Sequence, residues 1–156
     1  MENITNKVNF IYENTKDYPH SGKTFFEHLL NTSNIIRKLF PEEQYLIDAG
    51  LFHSIYGTCY YKFDSKNSRK KIKSIIGEKA ENLVYIFCTL ENRTSQIIQS
   101  KFEDNIHRDL LILEYANYLE QNCYDETVNQ IKKLLYEKFY IKLPKIKKYN
   151  PIFSYH

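Results

Sequence analysis

Thr24-Phe25-Phe26-Glu27-His28-Leu29-Leu30 reads as the opening of an amphipathic helix. Thr24 and Glu27 have the T-x-x-E spacing of a capping box, in which hydroxyl and carboxylate satisfy the first free backbone donors. Downstream, Phe25, Phe26, Leu29, Leu30, Ile36, Leu39 and Phe40 recur at helical spacing and give a broad apolar face that ends near Phe40. Pro41-Glu42-Glu43 follows as a second start signal, with proline suited to the first helical position and acids to the positive dipole end. This second helix passes through Tyr45, Leu46, Ala49, Leu51 and Phe52 and becomes apolar on nearly every side, so it is expected to be the buried centre. Gly57 is placed to stop it.

The same reading extends outward in both directions. Residues 3–16, with Ile4, Val8 and Ile11 in phase, form a modest helix, and 17–22 carry turn chemistry. Residues 62–71 are polar and basic, a surface loop running into a short helix over 69–76 that Gly77 breaks. A helix over 78–90 turns Ala80, Leu83, Val84, Phe87 and Leu90 inward, while 92–101 is left unassigned between helix and loop. The clearest periodicity runs over 106–121, and Asp125 caps a last helix reaching Phe139. Only four glycines and four prolines occur in 156 residues, too few for the many tight turns of an all-β fold. The expected architecture is therefore all-α, a bundle of about seven helices. One domain over 1–156 is expected, with 142–156 as a basic C-terminal tail whose lysines form a solvated face.

Composition narrows the function classes. At 42% hydrophobic and 26% charged, the chain belongs with globular sequences and not with disordered ones. A net charge of +3 argues against a nucleic-acid partner, and the basic residues are mostly lysine, the weaker bidentate phosphate clamp. Cys59, Cys88 and Cys123 are odd in number and widely spaced, which fits reduced thiols and no disulfide framework. No run approaches the ~20 apolar residues of a membrane span. A cytoplasmic protein without membrane association is the expectation.

Two segments carry candidate chemistry: Phe25-Phe26-Glu27-His28, and Ala49-Gly50-Leu51-Phe52-His53-Ser54-Ile55-Tyr56-Gly57-Thr58. Burial disfavours charged imidazole, and neutral imidazole is the commonest metal ligand. His28 and His53 lie on consecutive helices and would face one another if those helices pack antiparallel. For either histidine alone, a hydrogen-bonded core role is the more frequent outcome; the pairing raises the functional reading.

At these residues the sequence resembles the HD superfamily of helical metal-dependent phosphohydrolases, and most of all its alarmone-hydrolase branch. His28 matches the family's first histidine and His53 the histidine of its His-Asp doublet, while Ala116-Asn117 looks like the segment that carries the last aspartate. The resemblance covers about His20 to Asn122. It implies a divalent metal (Mn, Fe, Co, Zn or Ni) on His28 and His53. The sequence departs from the pattern where Ser54 and Asn117 replace both aspartates, and where Tyr56 and Gly57 replace the Glu-Asp pair of alarmone hydrolases. Neutral ligands hold hard cations more weakly than carboxylates do.

Replacement acids are Glu114, three residues before Asn117 on the same helical face, and Glu27 beside His28. Ser54, Tyr56, Thr58, Asn117, Arg69 and His20 are candidates to contact substrate, with Arg93 and Arg108 further phosphate candidates. The function this implies is metal-assisted hydrolysis of a small phosphate ester or nucleotide. The alternative is a degenerate, non-hydrolytic HD fold that binds a ligand or partner, and an HD-type iron oxygenase is a more remote third.

Overall fold

Capping side chains decide where the helices begin. In the computed structural model, which describes residues 3–20, 22–59, 66–99 and 101–145, Asn3 accepts from the Asn6 N–H to start α1 (Ile4–Thr15). Thr24 and Glu27 close the expected capping box at α2 (Phe25–Leu39). Ser68 caps α4 (Arg69–Ile76), and Asp125 accepts from Thr127 and Val128 to open α8 (Glu126–Phe139). Between them lie α3 (Gln44–Phe52), α5 (Glu78–Thr89), α6 (Arg93–Gln99) and α7 (Asp104–Glu120). The chain is all-α, with eight helices among the described residues where about seven were expected. The additional helix is α6, in the stretch that periodicity left unassigned.

Two local differences from the sequence reading bear on the site. The turn expected over 17–22 is part of a hairpin: Pro19–His20 and Lys23–Thr24 pair as two antiparallel strands, β1 and β2, and the Phe25 N–H donates to the Tyr18 carbonyl at 2.8 Å to close it. Gly22 takes a φ of 80° at the bend, the left-handed region that glycine enters without steric cost. The second difference is the length of α3. Pro41 and Glu42 stay in a turn, the helix starts at Gln44, and it ends at Phe52 with His53 as C-cap. Three further residues, 54–56, turn before Gly57, at a φ of 77°, redirects the chain.

The core forms where α2, α3 and α7 meet. α3 is buried at every position from 46 to 52, as its all-round apolarity implies, and α7 is buried over most of its length. Gly50 lets α2 and α3 approach: a Cβ there would sit 2.7 Å from Ile36 Cδ1 and 3.2 Å from Ser33 Cα. Ser33 Oγ donates across the same seam to the Ile47 carbonyl at 3.0 Å. The start of α2 therefore lies against the end of α3, the antiparallel arrangement that brings residues 28 and 53 together. Of the C-terminal tail, residues 142–145 extend without regular structure and Leu143 docks on the core; 146–156, with Lys147 and Lys148, lie outside the described residues. No helix among those described is long and apolar enough to cross a membrane.

Candidate functional site

The antiparallel seam delivers His28 from the first turn of α2 and His53 from the C-cap of α3. Both are only 1% exposed, and their Nε2 atoms lie 3.0 Å apart. Each ring is also held from its far side. His53 Nδ1 lies 2.7 Å from the Gly50 carbonyl, which can only accept, so the Nδ1 proton is fixed there. His28 Nδ1 lies 2.5 Å from Glu120 Oε2, at the end of α7. Such anchoring of one ring nitrogen, leaving the other aimed inward, is how proteins orient imidazole toward a cation.

Burial, reinforced by the positive charge of His28 and Arg93, holds His53 well below the usual histidine range. His53 is thus neutral, with its proton on Nδ1 and a bare lone pair on Nε2. With the His53 proton on Nδ1, the 3.0 Å contact between the two Nε2 atoms is a hydrogen bond that His28 donates to the bare His53 nitrogen. For Glu120, burial works to raise the pKa, but hydrogen bonds and charge from His28 and Lys23 outweigh it and hold the carboxyl below its ordinary value. Glu120 is ionised.

The hairpin forms the outer wall. The His20 ring stacks on His28 with centroids 4.1 Å apart and planes within 14°. Burial and the charge of His28 lower its pKa to about 4. From the second strand, Lys23 Nζ donates to Glu120 Oε1 at 2.5 Å and to the Glu120 backbone carbonyl at 3.4 Å. Asn31 Nδ2 reaches the same carboxylate at 3.4 Å. Opposite, the Phe87 ring stands edge-on to His53 at 5.6 Å, and the Cys88 thiol donates to the His53 carbonyl.

Of the residues singled out from sequence, His20, His28 and His53 come together. The candidate acids go elsewhere. Glu27 completes the capping box, accepting from the Thr24 N–H at 2.8 Å and the Thr24 hydroxyl at 3.1 Å. Glu114 is buried against Arg93, with Nε 2.7 Å away, and also accepts from Thr94. Arg69 clasps the buried Glu81 through Nε and Nη2 at 2.7 and 2.8 Å, and Tyr56 donates to that same carboxylate. Arg108 likewise pairs with Glu43 and Asp109. Ser54 and Thr58 are buried in the turn after His53. Asn117 Oδ1 accepts from Gln121 Nε2 at 3.3 Å, and Asn117 with Arg93, Tyr118, Gln121 and Cys123 lines a cavity of about 310 Å³.

The residue missed from sequence is Glu120. It lies three positions beyond Asn117, one helical turn further along the same face, which is the signal that could have found it. Lys23 was missed because it falls between the turn read over 17–22 and the capping residue Thr24, in a strand too short to show alternation. Among the described residues no cluster of three or more His, Cys, Asp or Glu is arranged to hold a metal. The donors that converge are two imidazoles, so an ion there would complete its shell from solvent and ligand.

No curated protein and no solved structure matches the chain. A family model does match, over residues 11–92, just over half the chain, and it spans the hairpin, both histidines and Glu81. The chain belongs to that family, described as a domain of unknown function, DUF6817.

Proposed function

We propose that the chain is an HD-like hydrolase of a small phosphate ester or nucleotide, with a divalent metal held by His28 and His53. The observation that carries this reading is the pair of Nε2 atoms at 3.0 Å, each ring anchored through its Nδ1. The donor set fits a borderline transition metal such as Mn, Fe, Co, Zn or Ni, which imidazole suits. A divalent ion there supplies Lewis acidity toward a phosphoryl oxygen and lowers the pKa of water beside it. The chain's own residues orient and shield. Glu120 and the Gly50 carbonyl lock the two imidazoles in the tautomers that present Nε2, and His20 and Phe87 exclude solvent from the rings. Glu120 also returns to α7 the carboxylate that Asn117 lacks, in contact with His28 instead of in its place.

Protein purified without chelator, and the His53→Ala variant beside it, tests the reading by elemental analysis. Near-stoichiometric metal in the wild type, its loss in the variant, and metal-dependent release of phosphate from a monoester panel are the expected results. Equal metal content in the two proteins would sink the proposal.

A second reading is a non-hydrolytic ligand-binding module. It is favoured by the engagement of Glu27, Glu114 and Arg69 in structural contacts, which leaves none of the expected acids or the expected arginine available for turnover. A thermal-shift screen that finds a stabilising nucleotide with neither turnover nor metal dependence would favour this reading over the first.

A further inference from the structure

Beside the imidazole pair, α7 ends on a cavity of different chemistry. Its last turn closes with Asn122 at a φ of 54°, a left-handed conformation that asparagine tolerates better than most residues, and the Cys123 N–H donates back to the Tyr118 carbonyl at 3.0 Å. That reversal gathers Asn117, Tyr118, Gln121 and Cys123 around a cavity of about 310 Å³, with Arg93 from α6 completing the lining. The volume lies at the lower end of the range of small-molecule sites. Asn117 stands one helical turn before Glu120, and Arg93 lies 4.3 Å over the Phe87 ring that faces His53 edge-on. The cavity therefore borders the histidine pair across Phe87 without including either imidazole.

The lining is polar but offers no net charge. No aspartate, glutamate or lysine belongs to it among the described residues, and Arg93 is paired with Glu114 at 2.7 Å. What it offers instead is two primary amides. Asn117 is only 5% exposed and its Oδ1 accepts from Gln121 Nε2 at 3.3 Å. Among the described residues, neither Asn117 Nδ2 nor Gln121 Oε1 has a hydrogen-bond partner. Nor is Nδ2 sealed in the core: its access is through the cavity that Asn117 lines. A primary amide carries both a donor and an acceptor, so two amides joined by one bond present one of each outward, whichever way that bond runs. A nearly buried donor is costly unless a hydrogen-bonding group meets it.

We propose that this cavity binds an uncharged ligand by a cyclic amide edge, a ring carbonyl beside a ring N–H, paired with the amides of Asn117 and Gln121. Such an edge matches the pair in donor and acceptor alike, whereas a phosphate or carboxylate would set its oxygens against the free amide oxygen. Tyr118 gives a planar ring an aromatic wall, its hydroxyl held 3.3 Å from Thr94 Oγ1. The site lies apart from the imidazole pair and needs no metal, so it extends the hydrolase reading without depending on it.

Inosine, an uncharged nucleoside with this edge, is titrated calorimetrically into metal-free full-length protein. Its control is 1-methylinosine, in which a methyl group replaces the edge N–H hydrogen. Uridine and 3-methyluridine run beside them, and either methylation-sensitive pair sustains the assignment. Methylation is expected to weaken binding about tenfold, and Asn117→Leu, which keeps the bulk and removes the amide, to weaken it as much. Should Asn117→Leu not fold, Gln121→Leu at its exposed position must weaken binding in the same direction. Alkylation followed by mass spectrometry locates the ligand: the bound nucleoside should slow modification of Cys123 on the cavity wall and leave Cys59 unchanged. Neither nucleoside bound, methylated and parent nucleosides bound equally, affinity unchanged in the folded variant, or Cys123 unprotected at saturation overturns the proposal. Methylation-sensitive binding by protein that takes up no metal would uphold this site while removing the metal-based function. Phosphate release from monoesters with no nucleoside bound would do the reverse.

Discussion

At the scale of single residues, the histidines set the response to pH. His20, His53 and His107 all have folded pKa values below the ordinary 6.5, burial being the largest cause in each. Below about pH 6.5 the unfolded chain therefore takes up protons that the folded chain resists, and stability falls as pH drops toward the folded values. Glu120 acts lower down: its contribution is present above the unfolded carboxylate pKa and is lost as pH falls through its depressed folded value. The melting temperature of the metal-free protein should decline steadily from pH 7.5 to 5.5. A flat profile over that range would contradict the neutral, buried histidines. Glu120→Gln keeps an acceptor for His28 but removes the charge, and metal affinity should fall about 10–100-fold while the helical circular-dichroism signal is retained. His28 and His53 could be paired from sequence because their spacing on consecutive helices is a local property. Glu120 could not, since its meeting with His28 depends on how α7 crosses α2, ninety-two residues away.

Among the elements, capping and close approach give distinct predictions. Thr24→Ala should cost about 1 kcal/mol by removing the capping hydroxyl at the start of α2. Because Glu27 accepts from that cap and not from the histidine pair, Glu27→Gln should leave metal content unchanged, and elemental analysis reads this directly. Gly50→Ala is expected to destabilise by roughly 1–3 kcal/mol, since the added Cβ must displace Ile36 and crowd the α2 backbone. Denaturant unfolding measures the loss, and a larger drop in metal affinity than in Thr24→Ala would follow from the shifted Gly50 carbonyl. Helix existence was legible here because capping boxes and apolar periodicity are encoded within a few residues. The hairpin at 19–24 was not, because two-residue strands carry no alternation to detect. Pro41 signalled a helix start three residues early: the turn through 41–43 delays the helix, and no side chain caps Glu43's end of α3.

For the molecule as a whole, buried ion pairs tie distant segments to the core. Lys7 Nζ and Asp48 Oδ2 lie 2.6 Å apart, both nearly inaccessible, and link α1 to α3 across forty-one residues. Removing one partner leaves the other charge buried, so Asp48→Ala should lose about 3–5 kcal/mol, measurable by chemical denaturation. Arg93 and Glu114 connect α6 to α7 in the same manner, with Arg93 stacked 4.3 Å over Phe87. These pairs explain why charged residues that looked like catalytic candidates proved to be engaged. A sequence shows that a carboxylate stands on a helical face; only the assembled helices show whether a cation already holds it.

The three thiols offer a way to watch this architecture in motion. Cys123 is exposed, Cys59 half-buried, and Cys88 buried with its thiol pushed up to about 12 by burial and donating to the carbonyl of His53. Alkylation should therefore proceed in graded phases, with Cys88 last. Its modification requires the C-terminal end of α3 to part from α5, so the slowest phase acts as a clock for the opening of that joint. An occupant that clamps His53 should slow this phase and leave the fastest untouched, giving a readout of occupancy that needs neither a substrate nor a chromophore.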